Sequence, residues 1–160
     1  MNNAATMRVE FRCDGIPQTK GSAKAFMRPR MKFPVVVNDN AKCKPWQAGV
    51  TQAAAAAMKG EPWRGPVMLT LVFYMPRPKG HYGTGKNAGM LRPSAPVHHT
   101  TKPDLDKLVR AVKDGLTGVV YGDDSQVVWI NARKEYASIV HTCGVEVRAS
   151  NVEESTTNGE

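Results

Sequence analysis

KPDLDKLVRAVKDGLTGVVYGDDSQVVWINARKEY, residues 102–136, carries both the plainest secondary-structure signal in the chain and most of its clustered acid. Leu105, Leu108, Val109, Val112 and Leu116 recur at helical spacing and predict an amphipathic helix over 104–117. Asp104 follows Pro103 and suits an N-cap, while Gly118 suits a stop. The short YGDD segment then reads as a tight turn. Gln126 to Tyr136 reads as a strand.

Upstream, VMLTLVFYM at 67–75 is apolar on both alternating faces, as in a central strand covered on both sides. Met7, Val9, Phe11 and Cys13 alternate with Arg8, Glu10 and Arg12, the period of a half-buried strand. WQAGVTQAAAAAMK at 46–59 is alanine-rich between Pro45 and Gly60 and predicts a second helix. Beyond Ala137 and Ser138 a last strand is expected, with Cys143, Val145 and Val147 facing inward. The stretches 15–34 and 77–103 read as long loops, the first ending in a short strand at Val35–Val37. The expected fold is α/β (α+β): a small mixed β-sheet packed with two main helices in a single domain over 1–150. Residues 151–160 read as a polar, disordered tail. A chain of 160 residues suits one domain.

Charge is unevenly distributed. The net charge is +8, yet residues 1–100 hold 15 Lys/Arg against 4 Asp/Glu, and residues 101–160 hold 7 against 10. Both long loops are basic and free of acid. That asymmetry points to a polyanion partner. No apolar run approaches the roughly 20 residues of a membrane helix, and no secretory signal opens the chain. Three scattered cysteines fit neither a disulfide framework nor a zinc site, so reduced thiols in the cytoplasm are expected. GHYGTGKN at 80–87 nearly matches a phosphate loop, but Asn87 replaces the metal-binding hydroxyl and no helix can follow. A nucleotide cofactor is therefore not expected. His98 and His99 are adjacent on extended chain and point apart, so they make poor co-ligands.

Asp104 and Asp106 open the long helix, and Asp123 and Asp124 follow it. A structural reading makes Asp104 a cap, Asp106 a dipole partner and the later pair a turn. A chemical reading makes them hard oxygen ligands, since Mg²⁺ is held by one or two carboxylates plus substrate phosphate. Whether Asp124 reaches Asp104 depends on the fold.

The segment from Lys102 to Leu116, with Asp123-Asp124-Ser-Gln126-Val127 after it, resembles the signature of RusA-type Holliday junction resolvases, approximately DxDNLxKxxxDxL followed by DD(A/S)QV. Gly15-Ile-Pro17-Gln-Thr-Lys20-Gly21 is similar to the start of many phage-borne relatives. The resemblance implies a homodimeric, Mg²⁺-dependent endonuclease that resolves four-way DNA junctions in recombination and repair. Mn²⁺ is an alternative ion. It implies a bacterial host cytoplasm and a phage or prophage origin. Carried over by position, Asp104, Asp106 and Asp124 become the metal-binding carboxylates, and Asp123 becomes an adjacent acid in a supporting role. The family's usual Asn is Lys107 here, and its usual lysine is Arg110. Arginine keeps the charge for phosphate clamping but does not readily lose a proton.

Carboxylate-held Mg²⁺ can both activate water and relieve charge on a leaving 3′ oxygen, and Arg110 lies one turn from Asp106. The DNA backbone is expected on Lys20, Lys24, Arg28, Arg30, Lys32, Arg77, Lys79, Lys86, Lys102 and Lys107. Two rivals use the same residues: a non-catalytic basic DNA-binding or architectural protein, and a nucleotide-sugar transferase with a metal-binding DxD. The second lacks room for two Rossmann-like halves.

Overall fold

The computed structural model describes residues 6–152 apart from 22, 28 and 39, and gives only the backbone course at 23–26 and 35–38. In chain order the elements are β1 (Arg8–Asp14), β2 (Ala23–Phe26), β3 (Val35–Asn38), α1 (Cys43–Ala57), β4 (Val67–Met75), α2 (Leu105–Leu116), β5 (Val127–Tyr136) and β6 (Gly144–Asn151). Short 3₁₀ turns lie at Lys79–His81, Gly85–Asn87 and Asp124–Gln126.

Four strands form a mixed sheet in the order β1-β6-β4-β5. β6 runs antiparallel to both β1 and β4, whereas β4 and β5 are parallel. Parallel neighbours need a crossover, and α2 lies on the connection between them. β4 is therefore central, and its side chains are buried on both faces from Leu71 to Met75. This matches its unbroken apolar sequence.

Both helices cover one face of the sheet. Leu69, Leu71 and Phe73 of β4 and Val145, Val147 and Ala149 of β6 pack in one core with Trp46 and Val50 of α1 and Leu108, Val112 and Leu116 of α2. Each fully buried Val, Leu or Phe among them stabilises the fold by roughly 1.5–3 kcal/mol. The two helices approach closely at Gly115, where an added Cβ would come within 3.3 Å of the Gln47 carbonyl oxygen and of Val50. Thr51 Oγ1 donates to the Gly115 carbonyl at 2.8 Å, and Gln47 Nε2 donates to that of Ala111 at 3.1 Å. The other face of the sheet carries alternating charges, paired as Arg148–Glu10, Arg12–Glu146 and Arg133–Glu135.

Several bounds differ from expectation. α1 starts at Cys43, before Pro45, because the fully buried Cys43 joins the core and Asn40 Oδ1 accepts the Lys42 N–H at 3.1 Å. Pro45 then falls in the first turn, where no intrahelical donor is needed. The first basic stretch contains a hairpin, β2 paired antiparallel with β3 from Ala23↔Asn38 to Phe26↔Val35. β6 runs through Asn151, one residue into the expected tail, and 153–160 lie outside the described residues. The second basic stretch is tied down by bridges Tyr82↔Leu91 and Gly83↔Ala88 and by Arg92 donating to the Tyr82 carbonyl at 2.8 Å. No helix among the described residues is long and apolar enough to cross a membrane.

Candidate active site

α2 has two faces. Leu108, Val112 and Leu116 enter the core, and the opposite stripe reads Asp106, Arg110, Lys113, Asp114, spaced i, i+4, i+7, i+8. This polar stripe forms one wall of a cavity of about 310 Å³. Asp124 and Ile130 close it from the other side. Three carboxylates, an arginine and a lysine thus share one concavity.

Local structure explains how Asp124 arrives there. After α2 the chain folds back tightly: Tyr121 is fully buried and donates its hydroxyl to the Lys113 carbonyl at 3.0 Å. Burial, and then the negative charges of Asp124 and Asp114, push its phenol far up. The Trp63 N–H donates to the Val120 carbonyl at 2.8 Å. Gln126 Nε2 donates to the carbonyls of Trp63 and Gly65, both at 2.9 Å. The Asp-Asp turn is thus riveted to α2 on one side and to the segment before β4 on the other.

The two adjacent aspartates do different things. Asp123 caps the 3₁₀ turn: Oδ1 accepts the Ser125 N–H at 2.7 Å, and the Asp123 N–H is accepted by Gln126 Oε1 at 2.9 Å. Hydrogen bonding from Ser125 holds its carboxyl below the usual range. Asp124 turns into the cavity, with Oδ2 3.6 Å from Lys113 Nζ. Asp114 Oδ2 meets Lys20 Nζ at 2.9 Å, across 94 residues of chain.

Asp104 is at the N-cap position of α2, but its side chain makes no capping hydrogen bond. It pairs instead with Lys107 at 3.2 Å and does not line the cavity, since residues two apart on a helix start point different ways. Its backbone is fixed from behind: Lys134 Nζ donates to the carbonyls of Thr101 and Pro103 at 2.6 and 2.8 Å. Asp106 and Arg110 make no ion pair or hydrogen bond among the described residues outside the helix ladder.

Among the described residues, no three His, Cys, Asp or Glu side chains converge closely enough to hold a metal by themselves. Mg²⁺ does not require that, because one or two carboxylates and substrate oxygens complete its shell. Asp106 with Asp124 or Asp114, all hard oxygen donors on one cavity, fit such an ion.

The basic residues divide. Arg30, Lys32, Lys79, Lys86, Lys102 and Lys107 are exposed. Arg77 is half-buried, stacked 4.0 Å over the Tyr136 ring and donating to the Pro96 carbonyl at 2.9 Å, so it supports the second loop. Arg28 and the Lys24 side chain lie outside what is described. His99 is buried against Tyr136, and burial, then Lys134, lowers its pKa. Lys113, Asp114 and Gln126 were not expected at the site. The first two could have been found by extending the spacing from Asp106 by seven and eight residues. A larger groove of about 440 Å³ crosses the open sheet face, but the charges lining it largely pair with one another.

Three similarities bear on this site. A family model described as Endodeoxyribonuclease RusA matches residues 18–148. The Bacillus subtilis (strain 168) protein named Uncharacterized protein YqaN is 33% identical over 134 residues, 81% of this chain and 88% of its own. Crossover junction endodeoxyribonuclease rusA of Lactococcus phage r1t is 47% identical over 36 residues, 22% of this chain and 28% of its own.

Proposed function

The chain belongs to the RusA endodeoxyribonuclease family, and from that premise we propose that it resolves four-way DNA junctions with a divalent ion held in the α2 cavity. The family consists of crossover junction endodeoxyribonucleases, and the chain is such an enzyme. The observation that supports the metal reading is that Asp106, Asp114 and Asp124 line one cavity beside Arg110, where two carboxylates and substrate oxygens would suffice for the ion.

In this reading Asp106 and Asp124 would hold the ion, and Asp104, paired with Lys107 outside the cavity, would join them only on leaving that lysine. Mg²⁺, or Mn²⁺ in its place, supplies a Lewis acid and an activated water when bound. Water adds to phosphorus, the bond to the 3′ oxygen breaks, and the products are a 5′-phosphate and a 3′-hydroxyl. Arg110 clamps the scissile phosphate, its planar fork matching two oxygens. Asp123 and Gln126 keep the turn that presents Asp124. The exposed lysines and arginines of the two long loops carry the flanking backbone, which sets position and not sequence.

A four-way junction needs two symmetric cuts, so the working form is a homodimer with two equal sites. Its setting is the cytoplasm of a bacterial host, and its origin a phage or prophage, a reading supported by the likeness to the Lactococcus phage protein. The test is cleavage of a junction, a fork and a duplex of matched sequence, with and without Mg²⁺. Selective, Mg²⁺-dependent cutting of the junction is expected. Equal cutting of duplex, cutting in chelator, or binding without cutting overturns the proposal.

A further inference from the structure

We infer that Lys20 and Lys113 are resident counter-cations of the carboxylate cavity, which a divalent ion displaces from Asp114 and Asp124 onto the DNA backbone. This rests on the metal-dependent reading above. Lys113 comes from the last turn of α2 and itself lines the cavity. Lys20, from the loop between β1 and β2, does not line it but pairs with the lining carboxylate of Asp114. Two separate parts of the chain thus each bring an ammonium to one of the cavity's carboxylates. Their distances are 3.6 Å to Asp124 and 2.9 Å to Asp114. The Lys113 side chain is only 22% exposed, so it is held against the wall and is not a freely solvated surface lysine.

The cations at the cavity have distinct positions. Arg110 pairs with no carboxylate among the described residues and is open to a phosphate from the start. The two lysines are already engaged. Lysine is a compact charge on a flexible four-carbon stem with rotatable donors, so it can leave one anion for another nearby. A divalent ion held by Asp106 and Asp124 would compete with Lys113 for the Asp124 oxygens and would repel both ammoniums, Lys20 on the neighbouring Asp114 included. An arriving phosphate gives them new partners. Ion uptake and DNA binding are then coupled, and the coupling is reciprocal. The substitution of arginine at position 110 fits this division: the arginine serves the phosphate, and Lys113, one turn further on the same stripe, serves the carboxylate.

Removing a displaced cation should strengthen ion binding. Two unit charges about 4 Å apart exchange roughly 1 kcal/mol in water, about a five-fold change in affinity. Titration calorimetry of Mn²⁺ into the DNA-free full-length protein should show Lys113→Met and Lys20→Met each binding about five-fold tighter than wild type. Lys113→Arg should match wild type, as should Lys59→Met beyond the end of α1. Lys113→Gln replaces Lys113→Met should the latter fail to fold. In parallel, junction affinity should rise from chelator to Ca²⁺ by a smaller factor in Lys113→Met than in wild type. Unchanged or weaker Mn²⁺ binding in both lysine variants overturns the inference. If wild type takes up no Mn²⁺ at all, with or without junction, the metal site itself fails, a separate outcome.

Discussion

Adjacent aspartates in the same turn should respond in opposite ways to the same substitution. Asp123→Asn keeps the cap, because a side-chain amide oxygen can still accept the Ser125 N–H and asparagine caps about as well as aspartate. Cleavage should stay within about three-fold of wild type, a change of less than ~1 kcal/mol in barrier. Asp124→Asn removes an anion from the cavity. The ion pair it loses spans 3.6 Å, with about half of the Asp124 side chain exposed (51%), so solvent screens it. Such pairs contribute about 0–1 kcal/mol, and the urea midpoint should barely move. The proposed ion would, however, lose one of its few protein ligands. If ~3 kcal/mol of transition-state stabilisation goes with it, single-turnover cleavage of a junction falls about 10²-fold. Binding of the junction, measured in Ca²⁺, should hold or tighten, since a negative charge near phosphate is gone. Cleavage by Asp124→Asn at wild-type rate, or a greater loss in Asp123→Asn, would refute the division of labour within the pair.

Other consequences are independent of that one. Tyr121→Phe deletes the donor to the Lys113 carbonyl and should cost about 1 kcal/mol in urea unfolding, since that acceptor is left in a part-buried setting. His99 has a pKa lowered by burial and then by Lys134, so the folded protein keeps it neutral. The unfolded chain gains its proton first as pH falls through about 6.5, so this contribution is complete above that pH. It declines below, until the lower folded value is reached, and His99→Gln should flatten the melting-temperature profile between pH 7 and 5. Junction binding should fall steeply with salt. If about six phosphates are neutralised by exposed residues such as Arg30, Lys32, Lys79 and Lys86, the log–log slope is near −5, and a slope near zero would mean those loops do not touch DNA.

Periodic elements were legible in the amino-acid sequence, and elements made by pairing were not. α2 was readable because Leu108, Val112 and Leu116 repeat on one face, and β4 because apolar side chains run without a break. The β2–β3 hairpin was hidden because Ala23–Phe26 has no β-branched residue, and its pairing with Val35–Asn38 is a tertiary fact. Asp106 and Asp124 could be suspected as neighbours but not joined, because the return of the chain rests on Tyr121 and Gln126 reaching back to α2 and to Trp63 and Gly65. Asp104 takes the N-cap position its sequence context suggests, but its carboxylate pairs with Lys107 and makes no capping hydrogen bond. Asp123, in the later pair, is the residue that caps.

A supercoiled plasmid carrying an extruded cruciform puts the proposed ion, branch selectivity, paired cutting and carboxylate cavity to one test. With Mg²⁺, the wild-type protein should convert it directly to linear DNA, and a plasmid without the inverted repeat should stay supercoiled. Asp106→Asn, which alters the one cavity carboxylate with no described ion-pair partner, should leave the cruciform plasmid intact while still binding the junction in Ca²⁺. Linear product from Asp106→Asn at the wild-type rate, or nicking of both plasmids alike by wild type, would contradict the account.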